Sequence, residues 1–169
     1  MSGYKNFAVV GAGVIGGSII RQLLTDKAAG TVNDVVVLNR EVSFASVSLQ
    51  PDARTDQLSQ GSKTVVDPAA KLFAVDYSNK ESIKKALTGV DVVISTIAVE
   101  GLHLQPGIAE AAKEVGVKLF VPSEFGGPTE GKTGGFLGNK ANIQEQLKAI
   151  GIPYSLFYTG GFSDYIWVP

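Results

Sequence analysis

Apolar residues in this chain fall into two patterns that take turns along it. Short continuous runs, such as Phe7 to Val10, Val35 to Leu38 and Val92 to Ile94, are the mark of parallel strands covered on both faces. Between them lie stretches with helical spacing, in which Ile15, Ile19 and Leu23 share one face with Ile20 and Leu24 beside them. The patterning predicts strands over 5–10, 35–38, 72–76, 91–96, 118–121 and 154–158. Helices are predicted over 14–25, from Ser78 to Thr88, from Pro106 to Gly116 and over 137–150. Ser78 and Glu81 have the spacing of a capping box, and Pro106 suits a first helical turn. From 41 to 71 the pattern weakens, with a short helix expected over 52–60 and a small strand over 64–66. Strict alternation of strand and helix implies an α/β fold with a doubly wound parallel sheet of the Rossmann type, in order 3-2-1-4-5-6.

The first strand runs directly into Gly11-Ala12-Gly13-Val14-Ile15-Gly16, a Gly-x-Gly-x-x-Gly turn. Gly11 permits the sharp turn, Gly13 lets the backbone approach a pyrophosphate, and Gly16 lets the helix pack closely. The free N–H groups of the first helical turn, at Val14, Ile15 and Gly16, together with the helix dipole, can then hold phosphate. A structural turn is the competing reading. The placement between a strand and a helix favours a dinucleotide.

Composition narrows the partners. A net charge of −1 gives no electrostatic case for nucleic acid or an anionic membrane surface. The absence of cysteine excludes disulfides, thiolate metal sites and cysteine nucleophiles together. Lys5 and the apolar run after it imitate a secretory leader, but a phosphate turn accounts for the glycines within that run and a leader does not. No stretch approaches the roughly 18 apolar residues of a membrane span. The expectation is a soluble, cytoplasmic, single-domain protein over 1–169.

Other candidates sit at predicted strand ends. Arg40 follows strand two, where an acidic residue would bind a free ribose 2′-hydroxyl and a guanidinium fits a 2′-phosphate. NADP(H) is therefore favoured over NAD(H), although Glu41 can also reach a ribose and Arg40 can be a solvated surface residue. Asp76, at the end of strand three, is placed to accept from an adenine amino group, or is a turn residue before the helix. Ser95 and Thr96 end strand four on the ligand-binding edge, with turn chemistry as their alternative. His103, the only histidine, has no partner visible in the sequence and reads as a polar loop residue.

Pro122-Ser123-Glu124-Phe125-Gly126 follows strand five, Lys140 lies in the next helix, and Gly151-Ile152-Pro153-Tyr154 leads on, with Phe162 soon after. With Val90 to Ser95 and Ala111-Ala112-Lys113, these segments make the sequence similar to the NmrA-like and isoflavone-reductase-like branch of the atypical short-chain dehydrogenases. That resemblance implies an NADPH-binding fold in which Lys140 orients the nicotinamide ribose and assists proton transfer, while Ser123 and Phe125 border the nicotinamide. Three departures stand out. Phe136 occupies the position four before Lys140, so the common Tyr-x-x-x-Lys dyad is absent. The glycine turn is one residue shorter than that branch's Gly-x-x-Gly-x-x-Gly. Members of the branch are also longer, and their second half supplies most of the substrate pocket, so cofactor binding with little turnover is expected here. The resemblance implies an NADPH-dependent oxidoreductase acting on a small aromatic or conjugated substrate. The alternatives are an NADP(H)-sensing regulator of the NmrA type with a protein partner, or a chain that binds cofactor and does neither job.

Overall fold

Five parallel strands form the sheet among the described residues of the computed structural model, which are 3–40 and 69–161. They are β1 (Asn6–Val10), β2 (Asp34–Asn39), β3 (Lys71–Ala74), β4 (Val92–Ser95) and β5 (Leu119–Val121), in order β3-β2-β1-β4-β5. The central strand β1 pairs with β2, Phe7 opposite Val35, and with β4, Phe7 opposite Val92. Burial on both faces explains the continuous apolar runs. Val9, Val35 and Val37 meet Ile20 and Leu23 of α1 (Val14–Ala28) on one face. Ala8, Val10, Val36, Leu38 and Val93 meet α2 (Lys80–Leu87), α3 (Gln105–Glu114) and α4 (Gly135–Ile150) on the other. The doubly wound architecture expected from the patterning is the one observed. No described helix is long and apolar enough to cross a membrane.

Several expectations need correction. The sixth strand is not formed: Tyr154 makes a single parallel bridge to Phe120, and the described residues after it, 155–161, belong to no strand. With only three residues in β5, little edge is left to pair with. Strand three ends at Ala74, so Asp76 lies beyond the strand rather than closing it. The cap of α2 is Asn79, whose side chain accepts from the N–H groups of Glu81 and Ser82. Ser78 lies one residue before that cap, and its side chain turns back onto Asp76, with its N–H and hydroxyl donating to the Asp76 carboxylate at 2.9 and 2.6 Å. A 3₁₀ helix, Val99–Leu104, precedes α3. The helix expected over 52–60 and the strand over 64–66 lie outside the described residues, as do Glu41 and Phe162.

Asp91 ties the amino edge of the sheet together. Its carboxylate accepts from the N–H groups of Lys5 and Asn6 at 2.9 and 3.0 Å, and from the Lys118 ammonium at 2.7 Å. Its own carbonyl accepts from the N–H groups of Lys118 and Leu119. One buried side chain thus joins the starts of β1, β4 and β5. The Lys118 ammonium, helped by the two backbone donors, lowers its pKa to about 2. A carboxylate depressed this far stabilises the fold by roughly 2 kcal/mol at neutral pH. That stability is present above the unfolded-state pKa of about 3.9 and is lost as pH falls through about 2. Asp91→Asn is therefore expected to lower the urea midpoint at pH 7, with the gap from the parent closing toward pH 2. Equal midpoints at neutral pH would show that the tie contributes nothing.

Candidate functional site

The site begins where β1 runs out. Gly11 takes φ +89°, a left-handed conformation that favours glycine, and its N–H donates to the Leu38 carbonyl at 3.1 Å. The chain then enters α1 through Gly13, whose N-cap position carries no side-chain cap bond. A Cβ on Gly13 would meet nothing within 4 Å, so the backbone there is open to a ligand. Val14 is 78% exposed and Ile15 is partly exposed at the same helix start. Gly16 is the opposite case: its Cβ would fall 2.3 Å from the Gly11 carbonyl oxygen and 2.5 Å from the Thr96 hydroxyl. The three glycines divide the work into a turn, an opening and a close contact. The uncapped N–H groups and helix dipole at the opening suit a phosphate.

Thr96 is the brace of this turn. Its N–H donates to the Val10 carbonyl at 2.8 Å, and its hydroxyl reaches the carbonyls of Val10 and Gly11 at 3.1 and 2.8 Å. Ser95, one residue earlier, is fully buried, and its hydroxyl has no hydrogen-bond partner among the described residues. Arg40 is exposed just past β2. Its guanidinium comes within 3.8 Å of where a Gly101 Cβ would stand, so it reaches toward the 3₁₀ helix after β4. Tyr77 is close enough to feel that charge; burial pushes its phenol above the ordinary tyrosine range and Arg40 opposes the shift. Asp76 is exposed and engaged with Ser78, whose hydrogen bonds lower its pKa.

The segment after β5 supplies the second half of the site. Ser123 donates its N–H to Gln105 Oε1 and its hydroxyl to the Ile97 carbonyl, both at 2.8 Å. Phe125 has φ +35°, rare for an aromatic residue, and donates its N–H to the Phe157 carbonyl at 3.0 Å. Between them Glu124 is 2% exposed. Lys140, on α4, is buried and donates to the Glu124 backbone carbonyl. Its Nζ also lies 4.7 Å from the centre of the Phe136 ring. Burial lowers its pKa, while the Glu124 charge acts in the other direction.

Gly11, Gly13, Arg40, Thr96, Ser123 and Lys140 thus follow the carboxyl ends of their strands, the edge where doubly wound sheets bind ligands. His103 stands apart, exposed on a groove of about 300 Å³ between the 3₁₀ helix and Asn139 and Ile143 of α4. Among the described residues no cluster of metal-ligating side chains occurs. The sequence reading missed Gln105, Thr129 and Gln144, all buried. The available signal was a polar residue inside an apolar helical stripe, as Gln144 is between Ile143 and Leu147.

A model of the NmrA-like family matches residues 4–166. Isoflavone reductase homolog A622 of Nicotiana glauca is 31% identical over 159 residues, 90% of this chain and 48% of that protein. Phenylcoumaran benzylic ether reductase POP1 of Populus trichocarpa is 37% identical over 123 residues, 66% of this chain and 40% of that protein. The solved structure of AtPrR2 with NADP+ and (+)pinoresinol is alike in fold, with a TM-score of 0.74 at 24% identity over 98% of this chain and 53% of that one. The chain spans about half the length of the curated relatives it matches.

The contrast between two glycines can be checked by thermal unfolding. Gly16→Ala is expected to cost about 1–3 kcal/mol, the usual result of overpacking, because backbone rather than a flexible side chain blocks the new methyl. Gly13→Ala should leave stability nearly unchanged. Equal effects at the two positions would contradict the packing described.

Proposed function

This chain belongs to the NmrA-like family, and we propose that it binds NADP(H) and serves an NADPH-dependent reductase activity of the isoflavone-reductase-like kind. The observation that carries the reading is the open backbone at Gly13, at an uncapped helix start, on the same sheet edge as Arg40 and Lys140. In this reading the N–H groups of Val14, Ile15 and Gly16 take the pyrophosphate. Arg40 takes the ribose 2′-phosphate through its planar fork, and Tyr77 and Gly101 border the adenosine. Ser95 and Thr96 line the floor, Thr96 through the turn it braces. Ser123, Phe125 and Lys140 face the nicotinamide end. When bound, NADPH supplies a hydride. The chain's own task is then to orient and to move a proton. Phe136 has no proton to give, so the proton step is assigned to Lys140. Burial depresses its pKa and so eases proton release.

The substrate is proposed to be a small aromatic or conjugated molecule, in keeping with relatives named for isoflavone and benzylic ether reduction. A second reading has its own observation. With Phe136 in place of a phenol and the Lys140 ammonium engaged by the Glu124 carbonyl, the same cradle suits an NADP(H)-sensing regulator that presents its bound state to a protein partner.

One measurement tests the cofactor that both readings share, and a second separates them. Isothermal calorimetry should give tighter binding of NADPH than of NADH, a preference that Arg40→Ala removes. The charge-assisted bonds at stake are worth about 1.5–3 kcal/mol. Equal or tighter NADH binding by the parent would sink the assignment of Arg40. For the chemistry, in a protein of the relatives' full length Lys140→Ala is expected to slow substrate-dependent NADPH oxidation by about 10²–10⁴-fold with a much smaller loss of cofactor affinity. In a protein of the relatives' full length, tight NADPH binding without oxidation across isoflavone and benzylic ether substrates would favour the sensor.

A further inference from the structure

Glu124 lies in the Pro-Ser-Glu-Phe-Gly segment, yet its side chain points away from any cofactor role. It is 2% exposed, and both carboxylate oxygens are occupied. Oε1 accepts from Gln144 Nε2 at 2.9 Å and Oε2 from the Thr129 hydroxyl at 3.0 Å. Gln144 Nε2 also donates to Thr129 Oγ1 at 2.6 Å, which closes a triangle of three side chains. They come from two pieces of chain: Glu124 and Thr129, five residues apart in the connection from β5 to α4, and Gln144 in the middle of α4. The closed triangle therefore pins that connection to the helix by two bonds from Gln144.

The main chain of Glu124 is engaged as well. Its N–H donates to the Pro122 carbonyl at 2.8 Å, and its carbonyl takes the Lys140 ammonium. The next residue, Phe125, holds a left-handed φ of +35°, a conformation that persists only where its surroundings impose it. We propose that Glu124, with Thr129 and Gln144, is a positioning unit that holds the Lys140 ammonium and the Ser123–Phe125 turn in fixed relation. The proposal rests on the reading of Lys140 as the working lysine of this site.

A purely structural plug would be better served by an apolar side chain, since burying a carboxylate carries a desolvation penalty that packing alone does not offset. A carboxylate at 124 does two things that a leucine cannot. It accepts two hydrogen bonds that orient its own backbone, and its charge faces the buried lysine. Glu130 and Tyr158 border the unit on the Gln144 side, and burial together with the Glu130 hydrogen bond pushes the Tyr158 phenol up to about 12.

The test reads Lys140 directly, without turnover. The 169-residue chain is labelled with ¹³Cε-lysine, the Lys140 signal is assigned by its loss in Lys140→Arg, and the signal is titrated with pH. Glu124→Gln should shift the signal and lower its titration midpoint, because the carboxylate that favours the charged ammonium is gone. Thr129→Val should give a smaller shift and remains readable if Glu124→Gln fails to fold. The exchange Glu124→Gln with Gln144→Glu restores a carboxylate facing an amide and should bring both readings back toward the parent. An unmoved Lys140 signal in Glu124→Gln and Thr129→Val, with only the melting temperature lowered, would overturn the proposal and leave Glu124 a structural residue. Shifts at Lys140 support the unit even where Lys140→Ala leaves NADPH oxidation intact, a result that would instead remove the lysine from the reaction.

Discussion

The contact on which the rest depends is the approach of α1 to the end of β1. At Gly16 the helix passes so close to the Gly11 carbonyl and the Thr96 hydroxyl that a single methyl group has no room. This closeness sets the line of the helix. It lays Ile20 and Leu23 over Val9, Val35 and Val37, and it leaves the helix start at Gly13 facing outward. Thr96 belongs to β4's continuation, so the brace also couples the turn to the neighbouring strand. A glycine pattern is often described through the ligand it admits. Here the third glycine acts first on packing, and the opening at Gly13 follows from where that packing puts the helix.

The two edges of the sheet then carry different burdens. At the amino edge, Asp91 gathers the starts of three strands with bonds that are all satisfied. At the carboxyl edge satisfaction is incomplete: Ser95 has a buried hydroxyl with no described partner, and Val14, Phe136, Leu137 and Phe157 expose much of their apolar surface. Polar groups without partners and exposed apolar side chains cost stability where they lie. A fold can carry that cost at one edge when the other is firmly tied, and in α/β sheets the unsatisfied edge is the one that meets ligands.

The fold was legible in the chain because a parallel sheet covered on both faces writes itself as unbroken apolar runs. Phe7 to Val10 and Val35 to Leu38 are such runs, and each became a strand. Legibility failed where two local choices were equally good or where pairing depended on a distant edge. Ser78 and Asn79 are both sound caps, and Asn79 holds the position while the Ser78 side chain turns back onto Asp76. Residues from Tyr154 onward have strand-like composition, but a strand needs a partner of matching length and β5 offers only three residues. Glu124 was visible as part of a motif. Its partners, Thr129 and Gln144, were not, since nothing local marks which loop residue and which helical turn will meet a buried carboxylate.

Lys140 shows why a motif alone leaves the choice between reductase and sensor open. A lysine useful in proton transfer must be partly desolvated, so that its proton is loosely held, and also fixed, so that it faces one atom. Burial on α4 meets the first requirement, and the Glu124 carbonyl with the Phe136 ring meets the second. The carboxylate of the same Glu124 works against the first by favouring the charged ammonium. These opposed influences place the lysine between two uses. Held charged, it would be a fixed cation of the kind the proposed binding protein requires. If a substrate oxygen competed with the Glu124 carbonyl for the ammonium, the same lysine would become the acid of the proposed reductase. The deciding variable is therefore what stands opposite Lys140 when the cofactor is bound. The geometry around Lys140 is compatible with either proposed use, because the burial, the carbonyl contact and the ring contact are the same in both.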